Sequence, residues 1–170
     1  MTEPIGSARA PPFFAADVEV IPWSEARQRL TDGATFWLAT LRPDGGPNLM
    51  PVLGVWVHDE LHFVANEHSR KARNLSVDAR CVLGLGSEGV DLVVEGTAHR
   101  VDDAARLQDV ADAYRSKYGW HVTVRNGAFH GAEGAPTAGP PPYVVFGVTA
   151  TRAFALGTLA PSRPTRYGFG

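Results

Sequence analysis

The sequence predicts a mainly β fold of the α+β class, a small antiparallel β-barrel packed by helices. Three features predict it: about six segments have the residue pattern of strands, most of them follow one another through short turns, and one strongly amphipathic helix comes late in the chain. A parallel doubly wound sheet would need a helix between successive strands, and the sequence does not supply these helices.

The chain of 170 residues is organised as one domain with a patterned central region. Residues 1–17 contain three prolines among small residues and show no periodicity, which predicts a flexible arm. The patterned domain spans 18–156, and residues 157–170 form a tail. The net charge of -2 gives no field for a nucleic acid or a membrane surface, and no apolar run has the length of a signal peptide or a membrane span. We therefore expect a cytoplasmic protein that binds neither nucleic acid nor membrane.

The first patterned segment is a short helix, followed by strands. Trp23, Ala26 and Leu30 recur at helical spacing, and Gly33 ends the helix. From residue 34 the pattern changes to that of β-strands, which are separated by turns of the Pro-Asp-Gly and Ser-Glu-Gly type. The predicted strands span 35–41, 48–58, 61–65, 80–85, 91–101 and 143–156.

The late helix is the clearest element of the sequence and is predicted over 103–118. Leu107, Val110 and Tyr114 fall on one face, and charged residues occupy the other. The next segment, 126–142, has four glycines and four prolines in seventeen residues, which predicts a loop without regular structure. Such a loop is either a lid over a ligand or a disordered connector.

Several reactive side chains fit structural roles better than chemical ones. Cys81 lies in a strand-like run and is expected to be an inert core residue. His58 and His62 have a spacing that suits a zinc site on a helix, but here they span a turn and a strand start, so we expect surface or edge histidines. Asp91 and Glu95 are interpreted as solvent-facing or cross-strand paired carboxylates. No catalytic residue and no metal ligand is assigned.

The segment around Ser69, Arg70 and Lys71 concentrates hydroxyl and cationic groups at the start of a short helix, directly after a predicted strand. Backbone N–H groups at a helix N-terminus attract anions, a serine hydroxyl can donate a hydrogen bond, and an arginine can bind two phosphate oxygens as a fork. This pattern predicts a phosphate site. From the spacing alone, a solvated and charged helix start is an equally good interpretation.

Further short motifs accompany the Ser-Arg-Lys-x-x-x-Leu run that begins at Ser69. They are Trp37-Leu38-Ala39-Thr40, Pro43-Asp44-Gly45, Pro51-Val52 and Val94-Glu95-Gly96-Thr97-Ala98. In this order, and over most of residues 20–156, the sequence resembles the pyridoxamine 5'-phosphate oxidase-like, FMN-binding split-barrel family.

The resemblance implies a six-stranded antiparallel split β-barrel of Greek-key type with flanking helices, which forms a homodimer with FMN in a groove between the subunits. It implies an oxidoreductase that transfers hydride or electrons to or from a small planar organic substrate. True pyridoxamine phosphate oxidases end in a basic Arg-x-His type motif, whereas residues 164–170 here read Pro-Thr-Arg-Tyr-Gly-Phe-Gly, so we do not expect vitamin B6 oxidation. Relatives of this fold also bind the deazaflavin coenzyme F420. A deazaflavin-dependent reductase and a non-catalytic flavin-binding protein are therefore the alternatives.

Carried over by position, the resemblance assigns cofactor-binding residues on two strands, one helix and the tail. These residues are Met50, Pro51, Val52, Val64, Ala65, Asn66, Ser69, Arg70, Lys71, Arg73, Asn74, Arg166 and Tyr167. Ser69, Arg70 and Lys71 would hold the cofactor phosphate, and the strand residues would lie along the ring and the ribityl chain. Arg166 and Tyr167 would reach the cofactor of the partner subunit.

Overall fold

The structure is a computed structural model that describes residues 3–5, 8–12, 18–131 and 139–170. The helices are α1 (Trp23–Asp32), α2 (Arg70–Val77) and α3 (Ala104–Tyr118). The strands are β1 (Thr35–Leu41), β2 (Pro47–Val57), β3 (Glu60–Asn66), β4 (Arg80–Ser87), β5 (Val90–Arg100), β6 (Thr123–Arg125), β7 (Ala128–His130), β8 (Tyr143–Gly157) and β9 (Thr165–Gly168). Among the described residues, no helix is long and apolar enough to span a bilayer.

Six strands close into an antiparallel barrel. Around the barrel their order is β1, β2, β3, β8, β5 and β4, and β4 pairs with β1 to complete the ring. Inward positions alternate with outward ones along each strand, as the two-residue period of a strand requires. The predicted mainly β fold with a six-stranded antiparallel barrel and flanking helices is confirmed.

Strand β8 is shared between two partners on one of its edges. Its residues 143–148 pair with β3, and its residues 152–155 pair with β9. A bulge separates the two halves on the β5 side, at Glu95 and Gly96. A side chain at Gly96 would clash with the carbonyl oxygen of Thr149, so the close approach of the two strands requires glycine. The barrel is therefore split at the point where β8 leaves β3.

Two apolar cores hold the helices on the barrel. The larger core fills the barrel and includes Phe36, Leu83 and the α1 residue Leu30. The smaller core lies between α3 and the outer face of β2, β3 and β8, with Tyr114 and Phe129 at its centre. Because α3 covers this outer face, the residues of β3 are buried on both sides, which gives β3 an almost continuous buried run rather than alternation.

The prediction of a loop over the whole of 126–142 is wrong at its beginning. Strands β6 and β7 form a hairpin through Asn126 and Gly127, whose φ angles are 51° and 69°. Asn-Gly is the residue pair that best accepts the two positive φ angles of a type I′ turn, and it outweighs the glycine and proline content that follows it. Residues 132–138, the middle of the predicted loop, lie outside the described residues.

The described parts of the predicted arm pair with the tail. Arg9 and Arg166 form an antiparallel bridge, and the amide of Ile5 donates to the carbonyl oxygen of Gly168 at 2.8 Å. On the other side, β9 pairs with β8 and contributes Tyr167 to the barrel core. The sheet therefore extends from β8 through β9 to the arm.

Candidate functional site

Helix α2 closes one end of the barrel, where β3 ends and β4 begins. Its residues Ala72 and Leu75 are buried in the barrel core. The buried Asn74 side chain donates to the hydroxyl of Thr40 on β1 at 2.9 Å. Ser69 is the N-cap, and its hydroxyl oxygen accepts from the amide of Ala72 at 3.3 Å. The helix is thus fixed by its inner face, which leaves the remaining side of its first turn free for a ligand.

The turn before α2 is organised by Asn66. Its side-chain oxygen accepts from the amide of His68 at 2.8 Å, and its main-chain oxygen accepts from the amide of Ser69 at 2.9 Å. The Asn66 side-chain amide donates to the carbonyl oxygen of Pro140 at 2.6 Å. These bonds fix the orientation of the N-terminus of α2, so Asn66 positions the predicted phosphate site.

The cations of α2 have no counter-ion among the described residues. Arg70 and Arg73 are exposed, and burial lowers the pKa of the half-buried Lys71. Within the described part of the chain, no side chain pairs with any of the three. Most other arginines pair with a carboxylate: Arg27, Arg29, Arg42, Arg80, Arg100, Arg106, Arg115, Arg152 and Arg163. A chain with a net charge of -2 therefore leaves three positive charges together on one short helix.

The first turn of α2 adds hydrogen-bond donors to these charges. The amides of Arg70 and Lys71 occupy the first two helical positions, where no intrahelical acceptor exists. The Ser69 hydroxyl accepts a bond from the backbone and keeps its own proton to donate. Amides, a hydroxyl and cations at the positive end of a helix dipole form the donor set that a phosphate group requires.

A buried acceptor without a donor lies at the same end of the barrel. The side-chain oxygen of Asn48 is buried and accepts no hydrogen bond from the described residues. Asn48 pairs in register with Thr40, which binds Asn74, and Lys71 lies one helical turn before Asn74. Met50 follows on the same face of β2 and is exposed. A ligand hydroxyl could supply the missing donor, so the residues present fit a cofactor that combines a phosphate with a polyol chain.

A groove opens between β2 and β3 because their pairing ends early. The last pair toward α2 is Gly54 with Phe63, so the preceding β2 residues and the following β3 residues are not paired with each other. Tyr114 of α3 lies at this point: its hydroxyl donates to the carbonyl oxygen of Leu53 at 2.8 Å and hydrogen-bonds the backbone amide of Val64. Tyr114 thus occupies the place of a direct bond between the strands and holds them apart.

The predicted strand residues flank this groove on both sides, but several of their side chains face elsewhere. Pro51 and Met50 are exposed, whereas Val52 faces the barrel core. On β3, Ala65 faces the barrel core and Val64 faces α3. Only the backbone of these buried residues can border a ligand in the groove.

The tail residues lie far from α2 within one chain. Tyr167 and Arg166 pair with β8 residues 153 and 154, whereas α2 lies beside the start of β8, about 35 Å away along the strand. Tyr167 is 1% exposed, and its hydroxyl donates to the carbonyl oxygen of Ile21 at 2.6 Å. A cofactor contact from Tyr167 is therefore not supported, because its own core encloses the ring. Arg166 is exposed, and its contact with a partner's cofactor stays a prediction.

The other singled-out residues have mixed outcomes. Cys81 is buried in the core, and burial raises its pKa to about 12, which agrees with an inert thiol. His58 is exposed beside Asp109, with 2.7 Å between its Nε2 and the carboxylate. The prediction that His62 is a surface or edge residue is wrong: it is 0% exposed, because α3 covers it with Arg106. Within the described ranges, no group of side chains could hold a metal ion.

Sequence reasoning missed Asn48 and Tyr114 as parts of the site. A polar residue at an inward-facing strand position is a detectable signal for Asn48, because such a position is otherwise apolar. From the sequence, Tyr114 is only one of the residues on the apolar face of the late helix, and its role in the site depends on where β2 and β3 separate. The role of Asn48 can therefore be detected in the sequence pattern, whereas the role of Tyr114 can be seen only in the packed structure.

Comparisons with known proteins agree with this architecture. The model of the family described as pyridoxamine 5'-phosphate oxidase matches residues 23–157. Curated proteins gave no match. Among solved structures, a conserved hypothetical protein, Rv2991, from Mycobacterium tuberculosis is 24% identical with a TM-score of 0.64, over 82% of this chain and 86% of that one. A pyridoxamine 5'-phosphate oxidase-related, FMN binding protein from Nostoc punctiforme is 18% identical with a TM-score of 0.61, over 89% and 93%.

A third solved structure, an F420 reductase, is 22% identical with a TM-score of 0.53, over 75% of this chain and 94% of that one. At such identities the structural likenesses show the fold. The match to the family model covers all six barrel strands and all three helices. The chain therefore belongs to the pyridoxamine 5'-phosphate oxidase family.

Proposed function

We propose that this protein is an oxidoreductase that binds FMN non-covalently, with the cofactor phosphate at the N-terminus of α2. One observation carries the proposal: Arg70 and the half-buried Lys71 stand at free helix amides without a counter-ion among the described residues. A partly desolvated ammonium without a partner costs some folding free energy, and a bound phosphate would offset that cost.

Each part of the site has a role in this proposal. Ser69, Arg70 and Lys71 bind the phosphate, and Asn48 accepts a hydrogen bond from the polyol chain. The groove between β2 and β3, with Met50 at its rim, receives the ring. When bound, the flavin ring supplies the redox chemistry by exchanging hydride or electrons with a small planar substrate. The chain itself orients the ring and excludes water, which is why no acid, base or nucleophile is assigned.

The surface beside the groove supports the proposal of a homodimer. Trp37, Leu49, Pro51 and Leu53 form an outward patch on β1 and β2, and the exposed fractions of Trp37 and Leu49 are 50% and 57%. The patch has no ionised side chain and shares Pro51 with the groove, so its occupant would also cover the open side of the cofactor site. We propose that this occupant is a second copy of the chain, because a symmetric pair buries both patches and completes both sites.

The dimer is tested by sedimentation. Replacing Trp37 by glutamate places a charge in the patch and should convert the dimer to a monomer. The matched control is Leu159→Glu, since Leu159 is exposed but lies outside the patch. A wild-type monomer, or a Trp37→Glu variant that remains dimeric, would contradict the proposed interface.

A deazaflavin-dependent reductase is the second candidate, and Arg73 is the observation that favours it. Coenzyme F420 carries a phosphodiester and an acidic tail, so it needs cations beyond a single phosphate site. Arg73 lies one turn past Arg70 and lines a cavity of about 330 Å³ between α2 and strands β5 and β8. This arrangement offers a path for an acidic tail that FMN would not use.

The deciding experiment is a titration of the ligand-free protein with FMN and with coenzyme F420, followed by fluorescence. Selective FMN binding supports the flavin oxidoreductase, and selective F420 binding supports the reductase. Binding of neither would contradict both. Reduction and reoxidation of the bound ring by a panel of donors and acceptors then separates an enzyme from a flavin carrier, because a carrier's ring would not turn over.

A further inference from the structure

The N-terminal half of α3 is held on the barrel by a polar cluster that the candidate cofactor site does not use. Arg106 of α3 donates to the Glu60 carboxylate on β3, and its Nε donates to Nε2 of His62 at 3.2 Å. Glu60 and His62 are both buried, so water has little access to these bonds. The hydroxyl of Thr149 on β8 donates to the second carboxylate oxygen of Glu60 at 3.3 Å.

The hydrogen bonds fix His62 as the neutral tautomer with its proton on Nδ1. A guanidinium has only donors, so Nε2 of His62 must accept from Arg106 through a lone pair. The Nδ1–H then donates to the main-chain oxygen of Glu60 at 3.0 Å. A proton on Nε2 would remove the acceptor and place an imidazolium beside a guanidinium. The bond from Arg106 to His62 therefore exists only while His62 is neutral.

One carboxylate oxygen, Oε2 of Glu60, lies within reach of three side chains. It accepts from Arg106, and it lies 3.5 Å from Nε2 of His62 and 3.6 Å from Nε2 of His99 on β5. Gly147 on β8 leaves the space for this oxygen, because a side chain there would clash with it. A protonated His62 would donate to Oε2 in competition with Arg106, which is partly exposed and can turn into water.

Charged and titratable groups from α3, β5 and the turn after β2 face His62. Burial, followed by the Arg106 charge, lowers the pKa of His62 to about 4. Smaller contributions in the same direction come from His99 on β5 and from His58 after β2. His58 is itself exposed beside Asp109 of α3. The His62 ring is therefore neutral near pH 7 and takes up its proton as the pH falls toward 4.

The C-terminal end of α3 is attached by bonds that do not change as the pH falls. Tyr114 donates to the carbonyl oxygen of Leu53, and Tyr118 donates to that of Gly54. The Lys117 ammonium donates to main-chain oxygens at the end of α1 and on β2. A phenol and an ammonium are already protonated at neutral pH, so acid leaves these donors as they are.

We propose that the contact of Arg106 with His62 and Glu60 is an acid-sensitive latch, which holds the N-terminal half of α3 on the barrel near neutral pH and releases it when His62 takes up a proton. The C-terminal end of α3 stays attached and serves as the hinge. Release exposes Leu107, the buried apolar residue nearest to Arg106 on α3. The latch does not depend on the proposed cofactor.

Amide hydrogen exchange of the full chain, followed by NMR near pH 7 and pH 4, tests the latch. Each rate is divided by the rate of an unfolded chain at the same pH. A detached segment of about two turns is too short to keep its helical hydrogen bonds in water. The Leu107 and Val110 amides should therefore lose protection at least about tenfold at the lower pH, because opening is linked to proton uptake by His62.

A barrel amide distinguishes the latch from acid unfolding. Leu83 lies in the barrel core on β4, and its amide should stay protected near pH 4. Equal loss of protection at Leu83 and Leu107 would mean that the whole chain unfolds, and it would overturn the latch. Unchanged protection of Leu107 across the pH range would overturn it as well.

Substitutions assign the response to the two latch residues. His62→Gln keeps an acceptor for Arg106 and removes the titrating group, so Leu107 should stay protected near pH 4. Arg106→Met should lower the protection of Leu107 already near pH 7. The matched control is Arg115→Met, since Arg115 pairs with Asp112 on α3 itself, and it should behave as wild type. A His62→Gln protein that loses protection as wild type does would contradict the proposal.

A measurement on the wild-type protein is independent of these variants. Nitrogen NMR of the His62 ring should show a proton on Nδ1 and none on Nε2 near pH 7, and Nε2 should gain its proton at the pH midpoint at which Leu107 loses protection. A protonated Nε2 near pH 7, or two different midpoints, would overturn the latch. His58→Gln and His99→Gln should keep the wild-type response, and its loss in either variant would assign the response to a residue other than His62.

Discussion

The two lysines of this chain share a half-buried position and differ in what surrounds the charge. Burial lowers the pKa of both Lys71 and Lys117. The Lys117 ammonium donates to the carbonyl oxygens of Thr31, Gly33 and Gly54, at 2.6–2.9 Å. Lys71 donates to no described residue. Lys117 joins α3 to the end of α1 and to β2, whereas the partly desolvated charge of Lys71 bonds to none of the described residues.

The difference distinguishes a structural cation, Lys117, from a candidate binding cation, Lys71, without reference to any relative. Replacing a hydrogen-bonded ammonium should lower the free energy of unfolding and leave the ligand affinity unchanged. Replacing an ammonium that has no hydrogen-bond acceptor should lower the ligand affinity and change the free energy of unfolding very little. Variants of the two lysines, each measured for both stability and FMN affinity, test this distinction.

The largest effect is expected from Arg70→Gln combined with Lys71→Met. Charge-assisted hydrogen bonds contribute roughly 1.5–3 kcal/mol each, so FMN affinity should fall at least about a hundredfold. The free energy of unfolding without ligand should stay the same or rise, because a desolvated charge is removed. Fluorescence titration and urea denaturation measure the two quantities. A destabilised variant with normal FMN affinity would reverse the assignment.

The opposite result is expected from Lys117→Met. Removing three charge-assisted bonds leaves the carbonyl oxygens of Thr31 and Gly33 short of a donor, whereas that of Gly54 still accepts from the Tyr118 hydroxyl, so the free energy of unfolding should fall by about 3 kcal/mol. FMN affinity of the folded protein should change by less than twofold. Urea denaturation and titration again provide the readouts. Equal stability of wild type and variant would show that the three bonds contribute nothing.

A loss of stability of similar size, but dependent on pH, is expected at His62, whose buried neutral ring is hydrogen-bonded by Glu60 and Arg106. Burial, followed by the nearby Arg106 charge, lowers the pKa of His62 to about 4, from an ordinary value near 6.5. Between these values the unfolded chain binds the proton and the folded chain does not, so the contribution to stability is complete above pH 6.5 and is lost as the pH falls to 4. The loss should total about 3 kcal/mol.

The measurement for His62 is urea denaturation at pH 7 and pH 4.5 for wild type and His62→Gln. The difference between the two proteins isolates the histidine from the carboxylates that titrate in the same range. A variant with the same pH dependence as wild type would show that His62 is not the group responsible.

The smallest effect concerns the pH dependence of FMN binding. Burial lowers the pKa of Lys71 in the free protein, and a bound phosphate would raise it again. Affinity should therefore fall severalfold as the pH rises through the pKa of the free lysine. Lys71→Arg should keep its affinity at alkaline pH, because a guanidinium stays charged. Titrations between pH 7 and pH 10 measure this, and identical profiles for the two proteins would contradict it.

The barrel could be predicted because each strand and each turn has a recognisable local residue pattern. Residues 35–41 are aromatic and β-branched, residues 91–101 form an apolar stretch interrupted only at a few positions, and the turns between strands contain glycine. The β6–β7 hairpin was missed because a two-residue signal, Asn126-Gly127, was outweighed by the composition of the longer segment. Short turn chemistry decides local structure even within a glycine-rich and proline-rich region.

The candidate site could be predicted only in part. Ser69, Arg70 and Lys71 are adjacent in the sequence, so one local motif contains the charge cluster. The groove depends on where β2 and β3 stop pairing, which Tyr114 determines from a helix 50 residues later. The burial of His62 likewise depends on α3. Such contacts between distant segments leave no local pattern in the sequence.

The shared strand β8 also has a consequence for the time course of folding. Barrel closure joins β3 to β8, in pairs such as Leu61 with Val148, across roughly 80 residues of intervening chain, and such non-local pairing slows folding. During synthesis β3 emerges from the ribosome long before β8, so its backbone edge stays unpaired and its apolar side chains stay exposed for that time. Folding of this protein is therefore expected to be slow and to depend on protection of that edge until β8 arrives.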